Sequence, residues 1–76
     1  MTDTPITVAM IHNYLEASGW VVALSGTYAQ VWQTWGSSLR VPVNPTGFEL
    51  DKAVFELSLV ENLHPEEVRD KILAAA

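Results

Sequence analysis

Two glycine-centred turn signals, Ser25-Gly26-Thr27 and Gly36-Ser37-Ser38, cut the middle of this chain into three short runs rich in β-branched and aromatic residues. Glycine takes positive φ at little steric cost, so each signal reads as a hairpin turn. The three runs, residues 20–25, 28–35 and 39–43, are therefore predicted strands of one antiparallel sheet. Helical patterns flank them on both sides. Thr7 is placed to cap a first helix running to about Ser18, with Val8, Ile11 and Leu15 on one stripe widened by Met10 and Tyr14. Gly19 stands where a left-handed residue would close that helix. After Asn44-Pro45, Thr46 and Glu49 have the spacing of a capping box for a second helix, which should stop near Asn62. Leu50, Ala53, Val54, Leu57 and Val60 form its predicted core stripe. Phe55 and Leu59 lie off that stripe. His64-Pro65-Glu66-Glu67 opens a third helix, because proline is favoured at the first helical position. Leu63 and Val68 have the spacing of a hydrophobic staple, and Ile72 and Leu73 continue the apolar side. The expected fold class is α+β, in the order α-β-β-β-α-α, with a three-stranded antiparallel sheet and helices packed on one face.

The 76 residues suit a single domain, 1–76, with residues 1–5 expected as a loose tail and 74–76 as a frayed end. The chain has no cysteine, so no disulfide or thiolate site reinforces a small core. Its 49% hydrophobic content is enough for a genuine core. Neither a signal peptide nor a membrane span is expected, and a cytoplasmic location fits the composition. The formal net charge is −5, with only Arg40, Lys52, Arg69 and Lys71 basic. Phosphate binding draws its affinity from clustered cations, so nucleic acid is an unlikely partner. The charge is unevenly spread. Between Ala17 and Phe48 only Arg40 is charged, whereas Glu49, Asp51, Glu56, Glu61, Glu66, Glu67 and Asp70 crowd the last third. A solvated helix face is the ordinary account of that acidic run.

Strict alternation sorts the strand residues onto two faces. Trp20, Val22 and Leu24 share one face, as do Leu39, Val41 and Val43, and Ala29 and Val31 are the core candidates of the second strand. Tyr28, Gln30, Trp32 and Thr34 then point away, joined by Val21 and Ala23. Pro42 cannot donate a ladder bond, which puts the third strand at an edge. Trp20 is expected in the core and Trp35 over the end of the sheet. His12 is expected on a solvated helix side and His64 as a helix cap. The two histidines lie on different helices without metal-ligand spacing, so no metal is expected. No phosphate loop or nucleophile–base pattern is legible, and no cofactor is implied.

The order and spacing of several pieces resemble the HicA family, small bacterial toxins of type II toxin–antitoxin pairs with a double-stranded-RNA-binding-domain-like fold. The resemblance covers roughly residues 8–73. It is carried by the helix ending in Gly19-Trp20, the turn Gly26-Thr27, Val41-Pro42 in the third strand, and the run from Leu59 through His64-Pro65-Glu66-Glu67 to Val68. That family cleaves RNA with a histidine that follows a glycine and a small hydroxyl residue. Here the triplet is Gly26-Thr27-Tyr28, so tyrosine fills the histidine's place. A phenol ordinarily titrates near pH 10 and an imidazole near neutrality, and this chain is acidic where the family is basic. Both departures point away from ribonuclease activity.

The expectation is therefore a small non-enzymatic protein-binding module with a HicA-like fold. By resemblance it would be phage- or mobile-element-encoded and would act on a bacterial host protein. The alternative is a divergent mRNA-cleaving toxin, in which Tyr28 would be the catalytic candidate. The expected binding surface is the outer sheet face, comprising Tyr28, Gln30, Trp32, Thr34, Val21 and Arg40. It is neutral, aromatic and amide-rich, as protein interfaces often are. Its partner would be another protein or a second copy of the chain.

Overall fold

The computed structural model describes residues 6–75. The order is α1 (Val8–Ala17), β1 (Val21–Ser25), β2 (Ala29–Thr34), β3 (Ser37–Pro42), α2 (Gly47–Glu61) and α3 (Pro65–Ala75). This is an α+β fold in the order α-β-β-β-α-α. The three strands form one antiparallel sheet in the order β1-β2-β3, so β1 and β3 are its edges. The expected tail at residues 1–5 lies outside the described residues, as does Ala76. The helix α3 continues through the expected frayed positions as far as Ala75.

Local chemistry accounts for the helix ends. The Met10 N–H donates to Thr7 Oγ1, which satisfies one of the donors left over at a helix start. At α2 both arms of the capping box form: Glu49 N–H donates to Thr46 Oγ1 at 3.2 Å, and Thr46 N–H donates to Glu49 Oε1 at 3.0 Å. The exits of α1 and α2 share a device. Gly19 (φ +89°) and Asn62 (φ 56°) are left-handed, and each is followed by a residue whose N–H reaches back to the helix. Trp20 N–H donates to the Leu15 carbonyl at 2.9 Å, and Leu63 N–H to the Ser58 carbonyl at 3.0 Å. The first of these turns delivers Trp20 into the core just before β1 begins.

One core lies between the sheet and the helices. Ile11, Tyr14 and Leu15 of α1 meet Ala53, Val54 and Leu57 of α2, Val68 and Ile72 of α3, and Trp32, Leu39 and Val41 of the sheet. Ser58, also buried, donates its hydroxyl to the Phe55 carbonyl within its own helix. The expected stripe of α2 holds at Ala53, Val54 and Leu57, while Val60 at its end is exposed. The side chains of α1 and α2 are also joined directly. Tyr14 Oη donates to the Glu61 carboxylate, 2.6 Å from Oε1 and 2.9 Å from Oε2.

The sheet faces differ from strict alternation. Trp32, expected to point outward, is 2% exposed and packs in the core. The cause is the length of the second turn. A loop at residues 36–38 would set Trp35 opposite Leu39 and carry Val31 onto the core face. Instead Thr34 pairs with Ser37, the loop is Trp35-Gly36 alone, and Gly36 takes φ +80°. Trp32 therefore stands opposite Leu39, and Gln30 opposite Val41. Opposed residues share a face, and a one-residue slip moves every side chain of a strand to the other side. Gln30 and Thr34, also expected outside, consequently lie on the inner face with Trp32, half-buried.

A second irregularity acts in β1. The pairing runs Val21–Gln33 and Val22–Trp32, then Leu24–Val31 and Ser25–Gln30, so Ala23 is an unpaired bulge residue. Leu24 is turned to the outer face beside Val21, rather than inward with Val22. A hydrogen bond from Gln30 Nε2 to Ser25 Oγ, at 3.4 Å, lies on the inner face as this register requires.

Candidate interaction surface

The register builds the outer face of the sheet in rows. Leu24, Val31 and Arg40 stand side by side across all three strands. Val21, Gln33 and Ser38 form the row nearer the second turn, and Ala29 with Pro42 the row nearer the first. Val21 is 63% and Leu24 65% exposed. Val31, Ala29 and Pro42 are half-buried, and Pro42 borders α2 across a hollow. The result is an apolar patch with a single formal charge, Arg40. Patches of this kind on small folded domains generally mark contact surfaces.

Of the six residues expected to form a binding surface, the structure brings Val21 and Arg40 onto this face. Tyr28 lies outside β2, at the first hairpin, and is 83% exposed. The Tyr28 carbonyl accepts from Val43 N–H at 2.9 Å, which fixes its backbone against the end of β3. Its hydroxyl has no hydrogen-bond partner among the described residues. A general acid or base needs such a partner or substrate within hydrogen-bond reach. Trp32, Gln30 and Thr34 belong to the opposite face. Leu24 is the binding candidate that alternation missed, because the bulge at Ala23 has no strong signature in the sequence.

Trp35, expected to shield the end of the sheet, instead stands 99% exposed at the tip of the second hairpin. His12, expected in solvent, packs its ring against Trp32, with centroids 5.3 Å apart and planes tilted by 37°. His12 Nε2, Trp32 Nε1 and Gln30 Oε1 are buried there without hydrogen-bond partners among the described residues. His64 sits at the start of α3, where its N–H donates to Glu67 Oε1 at 3.3 Å. Among the described residues no three His, Cys, Asp or Glu side chains converge.

The two edges of the sheet are unlike. Every residue of β1 is exposed, and its sequence, Val-Val-Ala-Leu-Ser, contains no charge and no proline. The β3 edge carries Arg40 and Pro42. It also borders a hollow of about 260 Å³ that these two residues line together with Phe48, Lys52 and Glu56 of α2. On α2 itself, Phe48, Phe55 and Leu59 are exposed on the side away from the core. Asp51 there makes a 3.8 Å ion pair with Arg69 of α3. The described acidic residues thus lie on the helices and none on a strand. No described helix is long and apolar enough to cross a membrane. Comparison of the chain with protein-family models, curated proteins and solved structures gives no match.

Proposed function

We propose that this chain is a small, non-enzymatic protein-binding module that docks through the outer face of its sheet. The observation that carries the reading is the outer-face row Leu24–Val31–Arg40, extended by Val21: an apolar patch marked by one cation in a molecule of net charge −5. The complementary partner is a folded protein that presents an apolar patch with an acidic rim. Apolar contact supplies most of the affinity, and Arg40 sets orientation. The HicA-like order of elements, together with tyrosine in place of that family's histidine, suits a bacterial or phage setting in which binding has replaced cleavage.

The test is affinity capture from bacterial lysate with the wild type, Leu24→Asp and Arg40→Glu, followed by crosslink mapping on the captured protein. The mutated side chains are exposed, so circular dichroism should show unchanged folding. The expected result is a protein captured by the wild type, crosslinked on the outer face, and lost in both variants. Equal capture by all three proteins, or crosslinks confined to the helices, would overturn the reading.

A further inference from the structure

The free edge of β1 has a use distinct from that of the face beside it. An edge strand presents a row of unpaired backbone N–H and C=O groups, and folded proteins normally blunt such rows with charge, proline, a bulge, a short strand or a covering element. In this sheet β3 is blunted in three of these ways. Arg40 supplies charge, Pro42 has no N–H to donate, and α2 flanks the strand across the hollow lined by Phe48, Lys52 and Glu56. β1 has only its five-residue length and the bulge at Ala23 to blunt it; it carries neither charge nor proline, and all five residues are exposed.

We propose that β1 pairs antiparallel with β1 of a second copy of this chain about a twofold axis, so that the two sheets join into one of six strands. Two features favour a copy as the occupant. The first is charge. Two molecules of net charge −5 repel each other, and the repulsion is least where neither presents acid. β1 is uncharged, and the described acids lie on helices, Glu16 near the end of α1 and the rest on α2 and α3. The one charge between Ala17 and Phe48 is Arg40, on the opposite edge strand.

The second feature is self-complementarity. Residues opposed across an antiparallel pair must share a face. The bulge leaves Val21 and Leu24 on the outer face and Val22 and Ser25 on the inner one. One register that respects this sets Val21 of one copy opposite Leu24 of the other, twice over by symmetry, with Val22 opposite the bulged Ala23. The two outer apolar patches then merge across the axis. A five-residue edge buries less than the roughly 1,200–2,000 Å² of a standard stable interface. The dimer is accordingly weak and concentration-dependent.

This inference goes beyond the docking of a foreign protein on the outer face, and its test can fail separately. Sedimentation of the wild type is followed from about 10 μM to about 1 mM, a range that brackets weak association. Amide hydrogen exchange is measured at both ends of that range. The expected result is a monomer–dimer equilibrium in which β1 amides gain protection at high concentration. Leu24→Lys should weaken the dimer by about tenfold or more, since lysine is a usual device for blocking an edge. Ser38→Lys, on the same outer face but in the far strand β3, should leave it within about threefold of the wild type. A wild type that stays monomeric throughout would overturn the proposal while leaving the capture experiment unaffected. So would a dimer without added β1 protection, or one that Ser38→Lys disrupts as strongly as Leu24→Lys, because those results describe face-to-face stacking.

Discussion

At the scale of single residues, Trp32 shows how much a side chain's meaning depends on its register. On the outer face it would anchor a partner. Opposite Leu39 and Val22 and against His12, it is the largest fully buried side chain of the core. Trp32→Ala should therefore cost about 3–5 kcal/mol, as truncations of buried aromatics do. In a domain of this size that is a large part of the total stability. Urea unfolding of the variant, or its failure to fold, reads the loss directly. A change below about 0.5 kcal/mol is what a surface position would give, and it would contradict the packing described here. The exposed Trp35 is the natural contrast, because its ring contributes little to folding.

At the scale of elements, the link between α1 and the end of α2 has a distinctive pH signature. Burial, reinforced by the hydrogen bond to Glu61 and that carboxylate's charge, pushes the Tyr14 phenol up to about 12 from its ordinary 10.0, against a smaller lowering by Ser18. A raised folded-state value means that the protonated phenol stabilises the fold. That stability is fully present below pH 10 and drains away between pH 10 and about 12, where the unfolded chain has already lost the proton. Denaturation midpoints across that window should fall more steeply for the wild type than for Tyr14→Phe. At neutral pH the variant should be less stable by about 1–3 kcal/mol, the usual range for losing a hydrogen bond to a charged group. Parallel pH profiles for the two proteins would contradict the link.

The same scale explains what was legible in the sequence. Thr7, Gly19, Thr46, Asn62 and Pro65 act within a few residues of themselves, and each helix begins or ends beside one of them. The order of elements could therefore be read from local signals. The assignment of strand faces could not, because it depends on counting across turns. Reading the second loop as residues 36–38 instead of Trp35-Gly36 reversed β2. Reading β1 as unbroken hid the bulge at Ala23 and placed Leu24 inside. The Trp35-Gly36 dipeptide, with glycine at the second central position of a tight turn, was the signal that would have corrected the first error. The candidate face was legible to the same extent. Val21 and Arg40 lie on the outer face, while Trp32, Gln30 and Thr34 followed the misread strand inward.

For the molecule as a whole, the separation of charge bears on nucleic acid. Arg40 is the single cation of the sheet, and Lys52, Arg69 and Lys71 are spread among the acids of α2 and α3. No array of cations tracks a phosphate backbone. Fluorescence anisotropy with duplex or single-stranded RNA at physiological salt should give no dissociation constant tighter than about 1 μM. The same RNA should remain intact on incubation, given an exposed Tyr28 without a proton-transfer partner. Tight binding, or cleavage abolished by Tyr28→Phe, would restore the ribonuclease alternative.

The blunted edge at β3 also determines how far association through sheet edges can go. A building block grows a fibre only if it is bifunctional, with one passable edge to receive a neighbour and another to receive the next. Here Pro42 and Arg40 close one end of the sheet and leave β1 as the more open one. In the terms of polymer chemistry the domain would be monofunctional, so coupling through β1 would consume the one reactive end of each molecule and terminate the chain at its first step. An apolar, exposed strand can thus be kept at the surface without committing the protein to open-ended growth, because the safeguard is built into the opposite side of the sheet.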